Sequence, residues 1–336
     1  VELARHAREG GDRVLAAHSL AEAADIARSR LDLAGAERLL DEAIGFHDSA
    51  DARLRRSRIR MARSDLAGAD TDAEQALAAG ADSEALELRA WAARNRHDME
   101  SAIRLGTAGA AISTDSRTKA SCLIAVAFAH RGNGDLRSTD EMLERASALS
   151  PPPSLGLSAW TGVLRVHQGR ADDALAALEP LLGSEAGGGL QAFWVEHVLQ
   201  MTAHAFGLVG RASDALLVLD RLGLELERRD SRVRYAGLTN TYRSWILRNL
   251  AVREAEDLAR SGMELGGSPE IRAQCRLDLA DSLFSFGRAA DAIEHVAAAR
   301  REMEVRWFHN RWRAEQRIVD APLREAVTGR SNSSRT

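Results

Sequence analysis

The sequence predicts an all-α protein: a right-handed superhelix, or α-solenoid, of about eight helical hairpins closed by a C-terminal capping helix. Three observations predict it. Ala, Leu and Arg dominate the 336 residues, aromatics supply only 4% and β-branched residues are sparse, a balance that favours helix over sheet. One phrase is written three times, as GRADDAL from Gly169, GRASDAL from Gly210 and GRAADAI from Gly287. A small residue also recurs at Ala36, Ala69, Ala102, Thr139, Ala174, Ala215, Ala255 and Ala292, with gaps of 33, 33, 37, 35, 41, 40 and 37 residues.

The first two units are the most alike, DLAGAERLLDEAI from Asp32 being echoed by DLAGADTDAEQAL from Asp65. Each opens on an Asp suited to a helix start and continues with apolar or small residues at helical spacing. The fourth unit, GNGDLRSTDEMLERASAL from Gly132, runs into Pro151, Pro152 and Pro153, which stop its helix. In the later units Gly169, Gly210 and Gly287 are expected to take the left-handed backbone that ends one helix, so that the polar residues after them start the next. Ala174, Ala215 and Ala292 then fall early on the second helix, where a small side chain lets it approach the first. One turn on, Leu40, Leu143, Leu178, Leu219 and Val296 suit a core, whereas Ala73, Gly106 and Ala259 fill that place weakly. A hairpin of this pattern cannot bury its apolar stripe alone and must stack on its neighbours.

The array is expected over residues 1–302, followed by a capping helix over 303–328 and a disordered tail over 329–336. In the cap, Trp307, Phe308, Trp312 and Ile318 fall near one another, and Arg300, Arg301, Arg306, Arg311, Arg313 and Arg317 mark an arginine-rich side. That basic run is the one nucleic-acid candidate, but it lacks the positioning helix and short turn of a helix-turn-helix, so no direct nucleic-acid contact is expected. Gly187, Gly188 and Gly189 read as a surface loop or as a hinge between the fifth and sixth hairpins.

Over roughly residues 15–302 this pattern resembles the tetratricopeptide-repeat family. The family's small residue at its eighth position is matched by Ala24, Ala90, Ala127, Gly162, Ala203 and Ala280; Ser57 is small but polar, and Arg243 departs from the pattern. The resemblance implies that first helices line a concave groove. Carried over with the small residue at position twenty as anchor, it points Phe128, Arg131, His167, His197, Gln200, His204, Asn240, Ser244, Arg248, Gln274, Asp281 and Phe284 into that groove. Polar groups interleaved with a few aromatics suit an extended peptide, a protein segment or a small effector, and equally suit a water-facing wall. Trp160, Phe193, Trp194, Tyr235, Tyr242 and Trp245 gather in the fifth to seventh units, as core or as an apolar pocket between hairpins.

The opening VELARHAREGGDRVLAAHSLAEAADIARSRLDLAGAERLLDEAI is similar to the segment that follows the ATP-binding module of large bacterial LuxR-type and antibiotic-regulator-type signal-transduction ATPases. That resemblance implies the sensor region of a transcriptional regulator, with self-association open and the ATPase and DNA-binding modules elsewhere. The chain is accordingly expected to be a segment of a longer protein. A free-standing adaptor or peptide receptor needs only the groove. An enzyme on a helical solenoid, with His197, His204 and Asp281 converging, is the third reading.

Few chemical motifs compete with these readings. Lys119 is the only lysine, so the other 44 of the 45 basic residues are arginines, and no glycine-rich loop ends in a lysine that could reach a phosphate. Of ten histidines only His197 and His204 share a helix, two turns apart, too far for one zinc ion. Cys122 and Cys275 lie far apart, and the apolar setting of Cys122, SCLIAVAFA, suits a buried thiol rather than a nucleophile. No cofactor, metal or catalytic residue is therefore expected. A net charge of −4 argues against a surface coated for nucleic acid, and no apolar run reaches the roughly 18 residues of a membrane span, so a cytoplasmic protein is expected.

Overall fold

The computed structural model describes residues 2–30, 32–63, 65–149, 155–183, 192–228, 238–247, 252–265, 269–303 and 321. Among them the regular structure is entirely helical, with no strand. The chain divides into two compact units, Val1–Leu157 and Ser158–Thr336.

The first unit contains α1 (Glu2–Glu9), α2 (Arg13–Ser29), α3 (Leu33–Phe46), α4 (Ala50–Ala62), α5 (Leu66–Ala78), α6 (Asp82–Asn95), α7 (Met99–Ile112), α8 (Ser116–Gly132) and α9 (Leu136–Leu149). Four hairpins result, each pairing an even-numbered helix with the one after it. α10 (Leu155–His167), which straddles the division, makes the fifth hairpin with α11 (Ala171–Leu178), Gly162 meeting Leu178, and a short 3-10 helix (Glu179–Gly183) follows. Three more hairpins follow: α12 (Ala192–Leu208) with α13 (Ala212–Arg228), α14 (Leu238–Leu247) with α15 (Val252–Glu264), and α16 (Pro269–Ser285) with α17 (Ala289–Glu302).

The recurring small residues lie where the helices of a hairpin meet. Ala36, Ala69, Ala102, Thr139, Ala174, Ala215, Ala255 and Ala292 are all 0% exposed. Their opposite numbers on the first helices are equally constrained: a Cβ built on Gly162 of α10 would stand 2.3 Å from Cγ of Leu178 on α11, so only glycine fits. Gly106, a weak core residue by sequence, is likewise a contact point, since a Cβ there would lie 2.6 Å from Cγ2 of Val126. Small polar residues serve where the hydroxyl can bond across the seam. Ser57 Oγ donates to the Ala69 carbonyl at 2.8 Å, and Thr139 Oγ1, within 2.8 Å of its own helix's Asp135 carbonyl, shares its proton with that of Ala127 at 3.2 Å. The seventh hairpin repeats this with Ser244, buried, whose Oγ donates to the Ala255 carbonyl at 2.7 Å. Ser244, not Arg243, therefore holds the small-residue position there, and the register of α14 moves by one; Arg243 instead pairs with Asp220 on α13.

The thrice-written phrase also has a local mechanism. Gly169, Gly210 and Gly287 have φ of 76°, 79° and 73°, the left-handed backbone that closes a helix C-terminus. Arg170, Arg211 and Arg288 follow, and each guanidinium bonds the Asp three residues on, at 2.7 Å to Asp173, 2.6 Å to Asp214 and 2.8 Å to Asp291. In the first unit an Asp does the capping directly: Asp12, Asp32, Asp65, Asp98, Asp115 and Asp135 each accept a bond from the backbone N–H three residues later.

The core is correspondingly serial. Ala21, Ala24, Ala36, Leu40 and Ile59 form one apolar cluster, Leu54, Ala73, Ala76, Ala85 and Leu88 another, and Ala90, Ala93, Ala102, Leu105, Ala125 and Ala129 a third. First helices also pack on one another, α2 on α4, α4 on α6 and α6 on α8 in the first unit, α12 on α14 and α14 on α16 in the second. Among the described residues no comparable contact joins successive second helices, so within each unit the first helices form the tighter, inward-curving layer. In the last cluster Phe284, Leu283 and Val296 pack with Met303 and Ala321, the two described members of the expected cap; its aromatic residues and Arg306 to Arg317 lie outside the described residues, as do Gly187 to Gly189. No described helix is long and apolar enough to cross a membrane.

Arginine has a structural use between hairpins. Asp72 on α5 is 1% exposed and receives Arg56 at 2.6 and 2.9 Å, Arg60 at 2.9 Å and Arg53 at 3.4 Å, all from α4. The same arginines reach back: Arg56 bonds Asp41 on α3 at 2.7 Å, Arg60 bonds Glu37 on α3 at 2.9 Å and Arg53 bonds Asp48 at 2.6 Å. One first helix thus ties its own second helix to the preceding one. Asp72→Ala leaves these guanidinium groups without their shared buried carboxylate and is expected to cost about 3 to 5 kcal/mol in urea denaturation, whereas Asp41→Ala, at the exposed rim, costs far less. Equal midpoints for Asp72→Ala and the parent would contradict this role.

Candidate functional site

In the second unit the faces of α12 and α14 carry a compact polar and aromatic group. Gln200 and His204 stand one turn apart on α12. Gln200 Nε2 donates to the Tyr242 hydroxyl at 2.8 Å, and the His204 ring lies 5.4 Å from that of Tyr242 and 4.9 Å, edge-on, from that of Trp245. Tyr242, Trp245 and His204 are each only partly buried, although Nδ1 of the His204 ring is enclosed. Trp245 is seated against Gly207, where a Cβ would stand 2.3 Å from its Cζ3. On α16 Gln274 and Asp281 are half-exposed, and Glu196 on α12 and Asp278 on α16 are buried carboxylates of the same unit.

The first unit holds a second group. Phe128 on α8 is 1% exposed and lies under two guanidinium groups, with Arg94 Cζ 5.0 Å and Arg131 Cζ 5.5 Å from its ring centre. Trp91 of α6 is 6.0 Å from the same ring, and its Nε1 donates to Ser121 Oγ at 3.0 Å, which donates onward to Glu87 at 2.5 Å. Burial pushes the Glu87 carboxyl up, against the Ser121 hydrogen bond, and burial followed by the charge of Glu87 lifts the neighbouring Cys122 thiol to about 12. Cys122 is therefore no nucleophile at neutral pH. His97, just beyond α6, is held down at about 4 by burial, then by the positive charges of Arg94 and Arg131.

The twelve residues expected to line the groove separate by position. Gln200 and His204 come together, with Tyr242 and Trp245 added. Gln274 and Asp281 stand on the neighbouring first helix, α16, while Phe128, Arg131, His167, Phe284, Ser244 and Gln200 itself are buried. Ser244 faces its own hairpin partner, as does Asn240, whose Nδ2 donates to Ser261 Oγ on α15 at 3.3 Å. The His197 side chain and Arg248 lie outside the described residues, as do the side chains of Phe193 and Trp194 and the whole of Tyr235. Tyr242 and Trp245 were legible as an aromatic pair but not as neighbours of His204, because the one-residue shift at Ser244 had to be recognised first. Ser57 and Thr139, polar residues in small-residue places, were the available signal. Among the described residues no group of three or more His, Cys, Asp or Glu is placed to hold a metal ion.

No protein-family model matches the chain, and no curated protein sequence matches it. Among solved structures it is similar to the TPR domain of P58(IPK), at 14% identity and a TM-score of 0.32, over 94% of this chain and 99% of that one. It is similar also to the TPR2AB domain of yeast Sti1 in its pHSP90 complex, at 13% identity, a TM-score of 0.30 and coverage of 91% and 98%. For yeast Tom70 the identity is 10%, the TM-score 0.31 and the coverage 92% and 96%.

His97 is the one non-glycine at positive φ among the described residues, at 64°, in the place that Gly134, Gly169, Gly210 and Gly287 hold elsewhere. Its imidazole, depressed from 6.5 to about 4, takes up a proton more readily in the unfolded chain, so its contribution makes stability fall as pH drops from 6.5 towards 4. His97→Gly removes both the backbone strain and this proton linkage. Its thermal midpoint is expected to exceed that of the parent near pH 7.5 and by a wider margin near pH 4.5. Equal margins would contradict the depressed imidazole, and a lower midpoint at both would contradict the strain.

Proposed function

We propose that the chain is a non-catalytic helical-repeat scaffold that binds a protein or peptide partner along the first helices of its second unit. The observation that carries this reading is the half-exposed set of His204, Tyr242 and Trp245 with Gln200 bonded to Tyr242. Tyr and Trp dominate the energetics of protein interfaces because each brings a large apolar area and a polar handle at little cost in rotamer freedom. Here the helices hold them in place, so a partner meets a surface already organised.

The sensor region of a bacterial transcriptional regulator is the setting we propose for this scaffold, and the opening ELARHAREGGD helix and DLAGAERLLDEA hairpin support it. Partner binding would then alter assembly of the larger protein. A free-standing adaptor would use the same face; coding sequence for a phosphate-loop ATPase upstream and a helix-turn-helix downstream separates the two.

Leu208 is exposed on α12 one turn beyond His204, and Leu217 is exposed on the outer helix α13. With photoreactive benzoylphenylalanine at one position or the other, a single partner is expected to be cross-linked from 208 and not from 217. Cross-linking from 217 alone would place binding on the opposite side.

A further inference from the structure

We propose that α13 is a self-association surface: its outer face pairs antiparallel with the same face of a second copy of this chain, about a two-fold axis passing between Asp220 and Arg221. This contact lies on a second helix and does not involve the first-helix face proposed above for a partner.

The core-facing side of α13 is filled by Ala215, Leu219, Leu222 and Leu226, all buried. Leu217 and Leu224 lie on the other side, 66% and 63% exposed, two turns apart on one stripe. Among the described residues no other second helix exposes two large apolar side chains at this spacing. Asp220 and Arg221, both exposed, stand between them and complete the stripe. One exposed leucine on a helix needs no explanation, whereas two in register make the narrow seam by which helices pair. On the flank of the stripe Gly223 leaves the approach open, since nothing lies within 4 Å of the place its Cβ would take.

The order Leu217, Asp220, Arg221, Leu224 names the occupant, because it is complementary to its own reverse. In an antiparallel pair centred between 220 and 221, each residue meets the one equally far beyond the centre. Leu217 then packs on the partner's Leu224 and Asp220 faces the partner's Arg221, and the two-fold axis makes both contacts twice. A parallel pair would set Asp220 against the partner's Asp220 and Arg221 against the partner's Arg221, like charge on like. Within its own chain Asp220 also pairs with Arg243, and Arg221 bonds the Leu182 carbonyl. Both take a second partner readily: the Asp220 side chain is 61% exposed, and the exposed Arg221 guanidinium has five N–H groups to share. One helix face from each protomer is a small contact, so a dissociation constant on the order of 10 μM is expected.

Sedimentation velocity of the whole chain at low salt, from about 1 to 100 μM, is expected to show monomer passing to dimer. Leu217→Glu combined with Leu224→Glu should weaken the dimer about hundredfold or more. Charge reversal separates this pairing from a merely structural role. Asp220→Arg alone gathers only arginines at the centre and Arg221→Asp alone only aspartates, so each should weaken dimerisation about tenfold. Mixed in equal amounts, the two variants set arginine against aspartate at both contacts and should form a heterodimer as tight as the parent dimer; circular dichroism checks that each is folded. A parent that stays monomeric over this range, a dimer indifferent to the leucine changes, or reversed variants that do not recover on mixing overturns the proposal. With benzoylphenylalanine at position 217 the expected product joins two copies of the chain; capture there of a different protein, with no product between copies, would make that protein the occupant and overturn the second copy. Cross-linking from position 208 still decides the peptide-binding reading separately.

Discussion

The contact on which the rest of the structure depends is the close approach of the two helices in each hairpin, made through a pair of small residues. Ala36 to Ala292 on the second helices are fully enclosed, and their counterparts are no larger than alanine, serine or glycine wherever the pair is seen. With side chains this small the backbones come within bonding range, which is why Ser57, Thr139 and Ser244 hydroxyls can reach carbonyls across the seam. Apolar area is then buried one junction at a time, in clusters of five or six residues through the first hairpins. Among the described residues of these first hairpins no single nucleus of large side chains forms, and each hairpin depends on its neighbours.

Charge fills the remaining joints. Buried Asp72 gathers three arginines that also reach Asp41, Glu37 and Asp48, so a single first helix binds the helices on either side of it. Arginine suits this place because its planar group holds two carboxylates at fixed angles, which a lysine ammonium does not. The arginines of GRADDAL, GRASDAL and GRAADAI work more locally, each tying a helix start to its own first turn. Many of the described arginines are thus committed to the joints between and within hairpins.

The hairpins were legible in the sequence because helix periodicity, Asp starts, Gly stops and recurring small residues all agree there. The register of α14 was not. A small residue can be Ala, Gly, Ser or Thr, and the adjacent pair Arg243 and Ser244 offered two alignments that only the hydroxyl bond to Ala255 separates. One residue turns a helix by about 100°, enough to carry Asn240 and Ser244 off the open face and to bring Trp245 onto it. His97 was hidden for a different reason: it stands where the other turns use glycine, and sequence alone reads a histidine there as polar loop. Phe128 and Arg131 fell in the expected helix, but burial, which depends on packing beyond the repeat, took them out of reach.

The register of the seventh hairpin is the point where the account is most exposed, and engineered disulfides test it most directly. In a background lacking Cys122 and Cys275, cysteines at positions 244 and 255 should oxidise readily to an internal bridge, because the Ser244 side chain already reaches the Ala255 backbone at 2.7 Å across the seam. Cysteines at 243 and 255 should remain free under the same conditions. Bridging of the 243 pair in preference to the 244 pair would contradict the register, and with it the placement of Trp245 beside His204.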